Sequence, residues 1–282
     1  MSEKHVLIVD DDLEVLKFYR RIFSAAAGAD FDILGRAAPA GPVLKVGCRA
    51  YSDPATMVAD YRRAFVEGMR QPLCIVDMRM PGQNGLVTAE QMREIDPDMD
   101  VLICSAAGDF TPEEIHRRLG GRVFFVRKPF DAGEFSLMVQ SLVDYWDDRQ
   151  ELRRRTAFLA SLLEASADLI FLKDKEGTYL TCNQRFAEFA RKPPQEIIGG
   201  TDGDFLPQEM CVVFREQDRR VIESRQPLVH RAEVDHPDGG RCLLETVKSP
   251  VHSDDGTCIG ILGIARDISG RHLVQAPDDV RL

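Results

Sequence analysis

The sequence has no apolar run near the ~20 residues that a bilayer-spanning helix needs. Its opening stretch, Met1-Ser2-Glu3-Lys4-His5, lacks the extended apolar core of a secretory signal. There is no Cys-x-x-Cys pair. The seven cysteines stand singly, and an odd, scattered set suits neither a disulfide framework nor a zinc site. Several lie inside apolar runs, so reduced, buried thiols are expected. Positive charge is in deficit: 36 Lys and Arg face 46 Asp and Glu, for a net charge of −10. Such a chain is a poor general binder of phosphate backbones or anionic membranes. The expected setting is cytoplasmic, with no nucleic-acid and no membrane partner. Common catalytic signatures are also missing: no Gly-x-x-x-x-Gly-Lys loop, kinase ATP lid, His-Glu-x-x-His or Gly-x-Ser-x-Gly occurs. What is present is an ordinary globular mix of 282 residues, 44% hydrophobic and 29% charged, long enough for two domains at about 150 residues each.

Two patterns divide the chain. Up to about Trp146, short apolar runs alternate with amphipathic stretches. The runs, at residues 6–9, 73–76, 101–104 and 123–126, are almost unbroken by polar residues, which suits strands buried on both faces of a parallel sheet. Helical spacing occupies residues 13–26, 54–67, 85–95 and 112–119. Thr111-Pro112-Glu113-Glu114 supplies an N-cap, a proline in the first turn and acidic residues beside the helix start. Strand alternating with helix predicts a doubly wound α/β domain with a five-stranded parallel sheet. The second strand is ambiguous: residues 31–34 and 43–48 can each fill it, separated by the Gly/Ala/Pro-rich insertion 35–42.

Residues 142–164 are highly charged, with Tyr145, Leu152 and Leu159 seven residues apart, which predicts a linker helix pairing in a short coiled coil. After Ala165 the pattern changes. Runs at 169–173 and 178–182 flank Asp174-Lys175-Glu176-Gly177, a hairpin signal. Helices are expected at 183–191 and 208–224, then strands at 228–235, 241–249 and 257–267, separated by turn-forming clusters at 236–240 and 253–256. This reads as an α+β domain with an antiparallel sheet. The expected organisation is 1–146, a helical linker 147–164, a second domain 165–269, and a fraying tail 270–282.

In an open parallel sheet, ligands bind beyond the carboxyl ends of the strands. There this sequence places Asp10-Asp11-Asp12, Asp77, Ser105-Ala106-Ala107 and Lys128-Pro129. Carboxylates crowded at one edge repel one another, and a hard divalent cation such as Mg²⁺ relieves that repulsion. A lysine and a hydroxyl beside them suit an anion held next to the metal. Metal, cation and hydroxyl around one acceptor carboxylate describe a phosphoryl-transfer site, with Asp77 the natural acceptor.

These residues carry a resemblance. Val6-Leu7-Ile8-Val9-Asp10-Asp11-Asp12, Ile75-Val76-Asp77-Met78-Arg79-Met80-Pro81-Gly82, Leu102-Ile103-Cys104-Ser105-Ala106 and Val126-Arg127-Lys128-Pro129-Phe130 resemble, in order, the signature stretches of the receiver domain of bacterial two-component response regulators. The resemblance implies that Asp77 is the phosphoacceptor. It also implies that Asp10, Asp11, Asp77 and the backbone carbonyl of Arg79 hold Mg²⁺, and that Ser105 and Lys128 bind the phosphoryl group. Ser105 and Phe125 would form the conformational switch, and Ala106 would keep the pocket mouth open. The spacing from Asp11 to Asp77 exceeds the family's usual spacing, the excess falling in the ambiguous second-strand region. The partners implied are a histidine kinase or phosphotransfer protein as donor. The only catalysis implied is the receiver's own phosphoryl transfer and dephosphorylation.

Residues 165–269 resemble a PAS domain through Asp168-Leu169-Ile170-Phe171, Asn183-Gln184-Arg185-Phe186 and the closing Gly260-Ile261-Leu262-Gly263-Ile264-Ala265-Arg266-Asp267-Ile268-Ser269. This implies an antiparallel sheet cupped by helices around a small pocket, but names no ligand. No cysteine occurs in 202–206, where a flavin adduct would need one; His230, on a candidate strand, is a candidate haem ligand, but a lone histidine is more often a surface or hydrogen-bonded residue. Gly199-Gly200-Thr201-Asp202-Gly203-Asp204-Phe205 is only superficially similar to the GGDEF motif of diguanylate cyclases. Together the resemblances imply a phosphorylation-controlled homodimer that relays a signal from receiver to PAS domain. The alternatives are the front of a larger sensor kinase or diguanylate cyclase, and a PAS ligand sensor with a secondary receiver.

Overall fold

The computed structural model describes residues 4–24, 44, 46–106, 111–205, 208–235 and 241–269. The chain divides into two compact units, Met1–Arg153 and Arg154–Leu282.

The first unit alternates strand and helix: β1 (His5–Val9), α1 (Leu13–Phe23), β2 (Gly47–Tyr51), α2 (Pro54–Val66), β3 (Leu73–Asp77), α3 (Gly85–Ile95), β4 (Asp100–Ser105), α4 (Pro112–Leu119), β5 (Val123–Arg127) and α5 (Ala132–Ala165). The five strands are parallel in the order β2-β1-β3-β4-β5. Their continuous apolar runs have a direct cause, because successive side chains enter two different cores. Leu7, Val9, Cys74, Val76, Val101 and Ile103 pack on one face with α2 and α3. Val6, Ile8, Leu73, Ile75, Leu102 and Cys104 pack on the other with α1 and the start of α5.

Two expectations need correction. The run 123–126 is not buried on both faces: β5 is an edge strand, and Phe125 is 41% exposed. The second strand is neither run as first drawn. It is Gly47–Tyr51, paired with β1 from His5↔Gly47 to Val9↔Tyr51. The buried Leu44 and Val46 lead into it, while the exposed Arg49 inside it masks the strand in the sequence. The run 31–34 lies outside the described residues. Helix α5 starts at Ala132, ten residues before the expected linker helix, and ends at Ala165. Tyr145, Leu152 and Leu159 are exposed along it.

The second unit contains β6 (Leu169–Lys173), β7 (Tyr179–Cys182), α6 (Gln184–Ala190), α7 (Pro194–Ile197), a 3₁₀ turn (Asp202–Asp204), α8 (Gln208–Ser224), β8 (Leu228–Asp235), β9 (Arg241–His252) and β10 (Cys258–Asp267). Its antiparallel sheet runs β7-β6-β10-β9-β8. The β6–β7 hairpin, α8 and β8 fall where the sequence places them. Strand β9 extends to His252, past the expected 249, because it stays paired with β10 as far as Cys258↔His252. Asn183 caps α6 by accepting from the Phe186 N–H, and its amide also donates to Asp168 O. Gly263 on β10 pairs with Phe171 on β6, and the Phe171 ring fills the space beside it, where a Cβ would lie 2.0 Å from the ring. The turn 236–240 and the tail 270–282 lie outside the described residues. None of the seven cysteines forms a disulfide, and four are buried. No helix among the described residues is long and apolar enough to cross a membrane.

Candidate functional site

The parallel sheet gathers the acidic residues at its carboxyl edge. Asp10 follows β1 directly, and Asp77 closes β3. Ligand oxygens of Asp10, Asp11 and Asp77 all lie within 4.8 Å of one another. Asp10 and Asp77 are buried and Asp11 is exposed. Asp12 takes a different part: it is the N-cap of α1, its carboxylate accepting from the Glu14 N–H at 2.8 Å.

Lys128, just past β5, reaches across this edge. Its Nζ donates to Asp10 Oδ2 at 2.7 Å and to Asp77 Oδ1 at 2.5 Å. The second oxygen of Asp77 accepts the Arg79 N–H at 2.8 Å, so the loop after β3 turns back over the carboxylate. That turn requires glycine at position 85, where a Cβ would lie 2.1 Å from the Asp77 carbonyl oxygen. Ser105 and Lys128 are held together by the Lys128 N–H bonding to the Ser105 carbonyl at 2.9 Å, and the Ser105 hydroxyl donates to the Ala106 carbonyl at 2.8 Å. Burial pushes the Asp10 carboxyl above its usual range, against the pull of Lys128. Burial works to lower Lys128, but its bonds to Asp10 and Asp77 outweigh it and hold the ammonium above its usual value. Beneath the site, burial raises the Cys104 thiol to about 12, although Tyr19 donates to its Sγ.

The sequence-derived residues Asp10, Asp11, Asp77 and Lys128 therefore meet, with the Arg79 backbone against Asp77 and Ser105 tied to Lys128. Phe125 stands on β5 opposite Ile103 and is 41% exposed. The donor set suits Mg²⁺: hard carboxylate oxygens, two of them on buried side chains that crowd together with one lysine to offset them.

The second unit holds a charged cluster that pattern reading missed. Lys173 and Lys248 are 1% and 3% exposed. Lys173 Nζ lies 2.6 Å from Asp202 and 3.4 Å from Asp218. Lys248 Nζ lies 2.5 Å from Asp218, and the Tyr179 hydroxyl donates to Asp202 at 2.7 Å. Burial lowers Lys248 and raises Tyr179 well above its usual value. A signal was available. Leu244, Thr246 and Lys248 share one strand face, and Phe214, Gln217, Asp218 and Val221 share one helix face, so charge falls at inward positions. The 199–205 stretch also finds its role here: Asp202 supplies a buried carboxylate, and Thr201 and Asp204 form a capping box. His230 lines the cavity beside this cluster.

The response regulator receiver domain matches residues 50–140, and the PAS fold matches residues 163–273. The chain carries a receiver domain followed by a PAS domain. The receiver match opens at residue 50, past the long α1–β2 segment, while the geometry above brings Asp10 and Asp11 into the same pocket. The aerobic respiration control sensor protein ArcB of Escherichia coli (strain K12) is 27% identical over 122 residues, covering 43% of this chain and 16% of ArcB. The methanogenesis regulatory histidine kinase FilI of Methanothrix harundinacea (strain 6Ac) is 26% identical over 142 residues, covering 50% of this chain and 16% of FilI. The chain thus spans about a sixth of the length of these relatives. The CheY-like receiver domain protein of Methanospirillum hungatei JF-1 is 16% identical with a TM-score of 0.40, covering 52% of this chain and 99% of that one. Receiver, PAS domain and relatives together put the chain in two-component signalling.

Proposed function

We propose that the chain is a response regulator phosphorylated on Asp77 by a histidine kinase or phosphotransfer protein, with Mg²⁺ held by Asp10, Asp11, Asp77 and the Arg79 carbonyl. The observation that carries this reading is the convergence of Asp10, Asp11 and Asp77 within 4.8 Å, with Lys128 bonded to two of them. When bound, Mg²⁺ neutralises charge on the phosphoryl oxygens. An Asp77 carboxylate oxygen attacks phosphorus on the donor phosphohistidine. The P–N bond breaks, an acyl phosphate forms, and the imidazole leaves carrying the electron pair and takes up a proton. Lys128 exchanges its bond to Asp77 for one to a phosphoryl oxygen, and the Ser105 hydroxyl leaves Ala106 to donate to another. Water attack on phosphorus later restores the carboxylate and releases phosphate.

The movement of Ser105 frees space for Phe125 to turn inward, altering the face formed by α4, β5 and α5. Helix α5 then carries the change towards the PAS domain, where it alters pairing of the homodimer or choice of partner. The protein acts in the cytoplasm. The test uses beryllofluoride, a mimic of the acyl phosphate, with Mg²⁺ on the wild type and on Asp77→Asn. Molar mass by light scattering and Trp146 fluorescence are followed. A response in the wild type alone supports the reading; an equal response in Asp77→Asn, or none in either, refutes it.

A second reading rests on coverage. ArcB is a sensor protein and FilI a histidine kinase, and the chain spans about a sixth of each. In that reading the receiver and PAS domain form one segment of a larger kinase. An open reading frame leading from Leu282 into a kinase core would support it, and a stop codon there would remove it.

A further inference from the structure

The PAS unit encloses a cavity of about 570 Å³, within the roughly 300–1,000 Å³ usual for small-molecule sites. Aromatic rings make up much of its wall, among them Phe171, Phe186, Phe205 and Phe214. Such a wall offers apolar faces to a flat ring. Lys173 and Lys248 also line it. They are already matched: Lys173 pairs with Asp202 and Asp218, and Lys248 pairs with Asp218. Each ammonium also lies over a ring, Lys173 4.7 Å from the Tyr179 centroid and Lys248 4.9 Å from that of Phe214. Glu233 and Arg241, which line the cavity as well, pair with each other at 3.6 Å. Arg191 and His230 also line the cavity, and the Glu233–Arg241 pair is exposed, but the two buried lysines are matched by buried aspartates, so an anionic ligand drawn to them would have to break a buried pair already made.

Thr246 and His230 add polar side chains to this wall, and one buried side-chain oxygen in it has no partner. Gln217 lines the cavity from α8, between Phe214 and Asp218, and is 9% exposed. Its Oε1 is buried with no hydrogen-bond partner. A buried acceptor of this kind is unfavourable until a donor reaches it, and a donor brought by a ligand removes that cost. We propose that the PAS cavity binds a neutral, ring-bearing small molecule whose N–H or O–H group donates to the Gln217 carboxamide oxygen. The aromatic wall selects the ring, the buried lysine–aspartate pairs already made favour a neutral ligand over a charged one, and Gln217 selects a donor. This does not depend on phosphorylation of Asp77.

The test is a ligand-observed NMR titration of the full chain with four probes sharing one ring: benzamide, N,N-dimethylbenzamide, benzoate and benzylammonium. Benzamide is neutral with a donor, and N,N-dimethylbenzamide is neutral without one. The other two carry opposite charges. Benzamide is expected to bind about tenfold more tightly than each of the others, the worth of one hydrogen bond. Gln217→Met is expected to bring benzamide down to the level of N,N-dimethylbenzamide and leave the latter unchanged. Its urea midpoint should not fall below that of the wild type, because the substitution removes a buried group that has no partner. Benzoate or benzylammonium binding as tightly as benzamide would overturn the proposal. So would benzamide affinity unaffected by Gln217→Met, or no binding of any probe at millimolar concentration. Repeating the titration on Asp77→Asn separates this result from the phosphoacceptor reading, since the affinities are expected to match those of the wild type.

Discussion

The receiver pocket and the PAS cluster use the same chemistry, lysines against aspartates, to opposite ends. In the receiver, Lys128 alone faces Asp10 and Asp77, with Asp11 close by. In the PAS unit, Lys173 and Lys248 face Asp202 and Asp218, and all four are buried. The first set carries excess negative charge at a strand-end edge, with Asp11 in solvent. The second is balanced and closed. Buried charge that balances internally acts as structure, and charge left unbalanced at an accessible edge suits a cation and an anionic group from outside.

The largest expected effect lies in the closed set. Asp218→Ala leaves Lys248 without a carboxylate partner, and breaking a buried pair in this way costs ~3–5 kcal/mol. Urea denaturation should show the PAS transition shifted to lower denaturant while the receiver transition stays in place. A loss below ~1 kcal/mol would mean that water already reaches Lys248.

The open set should behave in the reverse sense. Burial of Asp10 disfavours its charge, so Asp10→Asn should leave stability unchanged or raise it by up to ~1 kcal/mol, while weakening Mg²⁺ binding at least about tenfold. Calorimetric titration with Mg²⁺ and urea denaturation check the two halves separately. A destabilised Asp10→Asn would place Asp10 with the structural pairs.

The smallest effect concerns a third cluster, at the opposite edge of the receiver sheet. Asp98 sits 2.5 Å from Arg153 and 2.9 Å from Arg122, and these bonds hold its carboxyl well below the usual range. A lowered folded-state pKa adds stability above the unfolded value near 4, and that stability is lost as pH falls through the folded value. Asp98→Asn should therefore flatten the acid limb of the receiver's stability profile below pH ~4 and lower stability modestly at neutral pH. Thermal unfolding from pH 7 to 3 tests this. An unchanged acid limb would show that solvent screens the pairs.

Much of the receiver was legible because its pattern is local. A strand buried on two faces must be apolar throughout, and β1, β3 and β4 read directly from their runs. Their order and parallel pairing then carry Asp10, Asp77 and Lys128 to one edge. Strand β2 was obscured by Arg49, which an edge strand accommodates in solvent, and β5 was read as more deeply buried than it is for the same reason. The PAS cluster was not legible as a site, because its members lie on a hairpin, a 3₁₀ turn, a helix and a central strand. Lys248 and Asp218 do fall at inward positions of their own elements, but which charges oppose them is set only when those elements pack.

The sequence by itself determined the two-domain division of patterns, the parallel and antiparallel sheets, and the acidic set at the strand ends. Periodicity and strand-end position are properties of a short stretch of chain. Only the tertiary structure decided that Asp12 serves as a helix cap while Asp10 and Asp11 join Asp77, that two lysines are buried against two aspartates in the PAS unit, and that Gln217 keeps an unpartnered oxygen beside an aromatic cavity. Each of these depends on which distant residue supplies the hydrogen bond or opposing charge, and that is fixed when the elements pack.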